Sequence, residues 1–102
     1  MGMMISLETE SGTVLDSISD PSNSLHQILP DNKDVGYVHI NCIDWYGDTM
    51  FNVLQIPRFL SEWNQILPAA QTRGAASLHA RVLEMAQRCL TEVHVYLKFR
   101  GD

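Results

Sequence analysis

Residues 93–99 alternate without a break. Val93, Val95, Leu97 and Phe99 fall on one side of an extended chain, and His94, Tyr96 and Lys98 on the other. This period of two describes a strand with one face on a core and one face left to water or to a partner. A second pattern has a helical period. Ile56, Phe59, Leu60, Trp63, Ile66 and Leu67 share one helical face, with Pro57 suited to the first turn and Pro68 as a stop. A strand with one apolar face and a helix with one apolar stripe each need cover, and stacking them supplies it to both. The chain is therefore expected to build helices on a sheet.

The remaining segments extend that plan. Residues 4–9 alternate as a first strand, and residues 14–18 return as a second after the turn at Glu10-Ser11-Gly12-Thr13. Residues 25–29 predict a short helix stopped by Pro30, and residues 31–34 a polar loop. Residues 35–43 read as a central strand with Val38, Ile40 and Cys42 on one face and Tyr37, His39 and Asn41 on the other. Gly47 turns the chain, and residues 49–55 are expected to run back as a hairpin partner. Residues 75–91 predict a second main helix with Leu78, Val82, Met85, Ala86 and Cys89 inward and Arg81, Glu84 and Arg88 outward. The fold class is thus α+β in one domain spanning residues 1–102. It is a two-layer sandwich, a mainly antiparallel sheet of about four to five strands with two main helices on one face.

Charge separates along the chain. Through Asn52 the residues sum to −7, and from Val53 onward to +2, giving the net charge of −5. A surface dominated by acids is repelled by nucleic acid and by anionic membranes, so neither is expected as a partner, while a basic protein is attracted. No apolar run approaches the roughly 20 residues of a membrane span. Met1-Gly2-Met3-Met4-Ile5-Ser6 fits a short myristoylation pattern, but it also fits the plain start of a strand, which is the reading taken. The only two cysteines, Cys42 and Cys89, are expected to be buried, reduced thiols of a cytoplasmic protein.

Catalytic constellations are sparse. His39 and Cys42 would point to opposite faces of a strand, and no second ligand pair stands beside His26, His79 or His94, so neither metal nor cofactor is expected. Asp44 and Asp48 flank a turn, where acids more often cap backbone than do acid–base work. The chain has no nucleophile elbow and no glycine-rich phosphate loop. Asp44-Trp45-Tyr46-Gly47-Asp48, by contrast, places two large rings between two carboxylates, which suits anchoring and steering of a protein partner. The expected partner-binding set is Asp31, Asp34, Asp44, Trp45, Tyr46 and Asp48. The alternative is a small hydrolase or ligand-binding domain that uses Tyr37, His39, His94 and Tyr96 on an open sheet face. Self-association into a homodimer is expected as well, through the strand at residues 93–99 if it lies at a sheet edge.

In general character the chain resembles small acidic bacterial immunity and antitoxin-type proteins. The acidic first half, the 44–48 cluster and the closing Tyr96-Leu97-Lys98-Phe99-Arg100-Gly101-Asp102 carry that resemblance. It implies a single-domain cytosolic α+β protein that acts by binding a protein. It assigns no role to any individual residue.

Overall fold

The computed structural model describes residues 2–30 and 36–101. In chain order these form β1 (Met3–Thr9), β2 (Val14–Asp20), α1 (Leu25–Ile28), a 3-10 turn (Ile40–Cys42), β3 (Asp48–Phe51), α2 (Ile56–Gln65), α3 (Leu67–Thr72), α4 (Ala76–Thr91) and β4 (Val95–Arg100). The four strands make one antiparallel sheet in the order β2-β1-β4-β3. This is the α+β architecture that the periodicities predict.

Alternation decides which side of the sheet is covered. Met3, Ile5 and Leu7 of β1, Phe51 of β3, and Val95, Leu97 and Phe99 of β4 are buried beneath the helices. Helix α4 crosses β4, β1 and β2, and α2 and α3 lean against α4. At the centre, Trp63 of α2 and His79 of α4 stack 5.0 Å apart. The Trp63 indole Nε1 donates to the His79 carbonyl (3.1 Å), and His79 Nε2 donates to the Trp63 carbonyl (2.7 Å). Two buried polar rings thereby satisfy each other, which removes the cost of placing them in an apolar core. Pro68 starts α3 rather than simply ending helix, because a proline in a first turn loses no helical hydrogen bond.

Residues 36–43 depart from the expected central strand. They hold turns and the 3-10 turn, with Ile40 and Ile43 buried three positions apart while Val38 and Cys42 are exposed. The cause lies 22 to 24 residues away in α2: the buried Glu62 carboxylate accepts backbone N–H groups from Val38 (2.9 Å), His39 (3.0 Å) and Ile40 (2.9 Å). Three successive amides aimed at one carboxylate cannot also enter a strand ladder. Cys42 is accordingly exposed, not a core thiol, and its Sγ donates to the Val38 carbonyl at 3.3 Å. Cys89 is buried as expected.

Strand β3 finds its partner in β4 instead, with Asp48 opposite Arg100 and Phe51 opposite Leu97. Because β4 is paired with β1 as well, it is an interior strand and not an edge open to a second copy. The edges are β2 and β3.

Candidate interaction surface

The 44–48 turn is tied down at several points. The Asp44 carboxylate Oδ1 accepts the Tyr46 N–H (2.9 Å), and the Asp44 N–H donates to Thr49 Oγ1 (2.9 Å), whose hydroxyl donates to the Cys42 carbonyl (3.4 Å). Aspartate followed by such a closure is the usual chemistry of an Asx turn. The Gly101 N–H donates to the Gly47 carbonyl at 2.7 Å, docking the turn onto the end of β4. Gly101 is required there, since a Cβ at this position would strike the Trp45 carbonyl group.

The two rings of the cluster part ways. Trp45 is half-buried and stacks on His26 of α1, centroids 3.8 Å apart and planes 13° apart. With Leu29, Pro30 and Ile43 it also walls a small cavity of about 60 Å³. Tyr46 stands in solvent at 86% exposure. The turn therefore uses one ring to hold itself to the body and presents the other.

The acids also divide. Asp44 lies exposed beside Tyr46. Asp48 belongs to the outer face of the sheet, with Lys98 Nζ 3.5 Å and Arg100 Nε 4.0 Å from its carboxylate. The same two cations lie 3.8 Å and 3.7 Å from the carboxylate of Glu8, which is only 5% exposed and accepts the Ser6 hydroxyl at 2.6 Å. Glu8, Asp48, Lys98 and Arg100 thus form a charge-balanced quartet across three strands, each cation shared between two carboxylates. Asp31 and Asp34 lie outside the described residues.

The alternative set is not assembled on one face. Tyr37 and His39 sit ahead of the 3-10 turn, and the His39 ring lies 5.9 Å from Phe51 on the covered side. Tyr96 lies on β4 and His94 immediately before it, and both line a cleft of about 450 Å³ at the far end of the β3–β4 ladder. His94 has φ of 56°, and its Nδ1 lies 3.0 Å from the Glu10 carboxylate. Also on this cleft, burial pushes the Cys89 thiol up to about 11, so the thiol stays protonated and unreactive at neutral pH. Among the described residues no group of three or more His, Cys, Asp or Glu side chains could hold a metal ion, and no helix is long and apolar enough to cross a membrane.

Neither protein-family models nor curated proteins nor solved structures give a match to this chain. The site therefore has to be read from its own geometry.

Two features escaped the sequence reading. The quartet depends on the register of β1 and β3 against β4, which local pattern does not contain. Four exposed apolar residues around the cleft, Val53, Leu54, Leu90 and Val93, come from three separate segments. Among these, Val93 carried a local signal that misled: the alternation of residues 93–99 places it inward, but β4 begins only at Val95 and Val93 stands exposed ahead of it.

Proposed function

We propose that this chain is a non-catalytic protein-binding module whose contact centre is Tyr46, flanked by Asp44. The observation that carries the reading is a large aromatic side chain held in solvent by a turn fixed at both ends. Aromatic anchors dominate binding energy at protein interfaces, and an anchor on a pre-ordered backbone loses little entropy when it docks. The acidic first half of the chain would draw in a basic partner and raise its association rate at low salt. In that scheme Trp45 supports the turn from behind, and Asp48 is a weaker contributor to steering because Lys98 and Arg100 neutralise it. Asp31 and Asp34 would add to the acidic field. The reading extends to an immunity-type protein that neutralises its partner in the bacterial cytoplasm without a cofactor.

The test is affinity capture of partners by the folded protein, followed by measured affinities for the captured partner. Tyr46→Ala should weaken binding by about 2 kcal/mol or more, as expected for a hot spot, with an unchanged circular dichroism spectrum. Asp44→Asn should lower the association rate at low salt, with some added loosening of the turn. A partner that binds Tyr46→Ala as tightly as the wild type would refute the assignment.

A further inference from the structure

We propose that the partner docks by strand addition: an extended basic segment of it lies along the free edge of β3 and pairs with the backbone of Asp48 and Met50. This rests on the reading of Tyr46 as a partner contact and adds how the partner's chain is held. The Gly101 N–H donating to the Gly47 carbonyl makes those residues a hydrogen-bonded pair, one step beyond Asp48 opposite Arg100. Such pairs alternate with non-bonded ones along an antiparallel ladder. Thr49 and Phe51 therefore bond to β4, while Asp48 and Met50 turn their N–H and C=O groups outward. Both residues are exposed. The next edge positions on either side are closed from within the chain. Asp44 Oδ1 takes the Tyr46 N–H (2.9 Å), and Gln55 Oε1 takes the Asn52 N–H (2.9 Å). Among the described residues nothing takes the outward groups of Asp48 and Met50.

The opposite edge of the sheet is treated differently. On β2 the Ser17 N–H donates to Asp16 Oδ1 (2.8 Å), and Arg81 of α4 reaches over to the same oxygen (2.8 Å) and to the Ser17 carbonyl (3.5 Å). The register of β2 also slips between Leu7 and Glu8 of its neighbour. A charged side chain laid across an edge and a bulge both stop a strand from pairing again. The β2 edge is thus blocked at its middle, and the β3 edge, beside the Tyr46 turn, is not. A row of free N–H and C=O groups specifies its ligand, because another extended backbone is what matches it. Charge then selects which backbone. Strand β3 lies in the half of the chain that sums to −7, with Asp44 exposed at its entrance, so a basic segment is attracted. A second copy brings its own acidic half to the same edge and is repelled.

The test uses an alternating lysine–valine heptapeptide as the extended basic probe, with a lysine–proline peptide of equal charge, unable to pair as a strand, as its control. Hydrogen exchange read by NMR should show the Asp48 and Met50 amides slowed about 10-fold when the lysine–valine peptide is about 90% bound. The Ser17 amide should be unchanged, and the control peptide should protect neither edge. Met50→Pro removes an outward N–H without touching the ladder, so it should keep its circular dichroism spectrum and bind the probe at least about 10-fold more weakly. Met50→Lys, a change at an exposed position that leaves the backbone intact, should also weaken the probe by placing a like charge on the edge. Tyr46→Ala should bind the probe like the wild type. The two readings then fail separately. If Met50→Pro and Met50→Lys bind the captured partner as tightly as the wild type while Tyr46→Ala does not, strand addition is wrong and the Tyr46 contact stands. A probe that slows Ser17 as much as Met50, or a control peptide that protects β3 equally, would also overturn the proposal. So would a Met50 amide whose protection rises with protein concentration alone, which would make a second copy the occupant.

Discussion

Replacing Glu62 should loosen the segment that leads into the Tyr46 turn. The Glu62 carboxylate is 2% exposed and accepts the N–H groups of Val38, His39 and Ile40, with Arg58 Nε at 3.3 Å as a further donor. In Glu62→Ala the buried Ile40 amide loses its acceptor outright, costing about 1–3 kcal/mol, while the part-exposed Val38 and His39 amides recover some of their loss to water. Relief of the carboxylate's own desolvation offsets part of this, and the vacated side-chain volume adds to it, giving a net destabilisation of about 3 kcal/mol. Arg58 contributes little because its side chain is mostly exposed, so Arg58→Ala should cost less than about 1 kcal/mol. Glu62→Gln keeps one carbonyl acceptor but turns an NH₂ group toward donors, and should fall between wild type and Glu62→Ala. Urea unfolding with an unchanged m-value measures the stability, and hydrogen exchange at residues 38–40 locates it. If Glu62→Ala lost less than about 1 kcal/mol, or left those amides as protected as before, the carboxylate would not be what holds this segment out of the sheet.

Two further outcomes are expected. Gly101→Ala should destabilise the protein by about 1–3 kcal/mol in thermal or urea unfolding and weaken partner binding with it, since the added Cβ meets the Trp45 carbonyl and pushes the turn off β4. At pH 8 a thiol reagent should label Cys42 quickly and Cys89 only as the protein opens. The folded Cys89 thiol keeps its proton until about 11, while the unfolded thiol releases it in the ordinary range near 8.5. The stabilising effect is therefore complete below the lower value and is lost as pH rises toward the higher one. Stability should fall across that interval more steeply than in Cys89→Ala, and parallel pH profiles of the two proteins would disprove this.

For four elements one local period was enough to place one buried face. The alternation of β1 and β4 and the helical stripes of α2 and α4 were legible because each pattern fits only one backbone geometry with its apolar side inward. The fold class follows from those four elements, since stacking is the simplest arrangement that covers all their apolar faces. Residues 35–43 carried an equally good alternation, yet the described part, 36–43, does not form a strand. Alternation reports what a segment is able to bury, whereas its backbone goes to the partner offering the better hydrogen bonds. For Val38, His39 and Ile40 that partner is Glu62, a residue whose own position reads simply as one turn of a helix. The same limit applies to the candidate site. The turn chemistry of Asp44 and Gly47 was visible, but only the placement of His26 made Trp45 the buttress and left Tyr46 as the exposed ring. The neutralisation of Asp48 and the gathering of Leu54 and Val93 around one cleft depend on strand register and on where β3 stops. Those are relations between distant segments, decided by the packing of the whole chain.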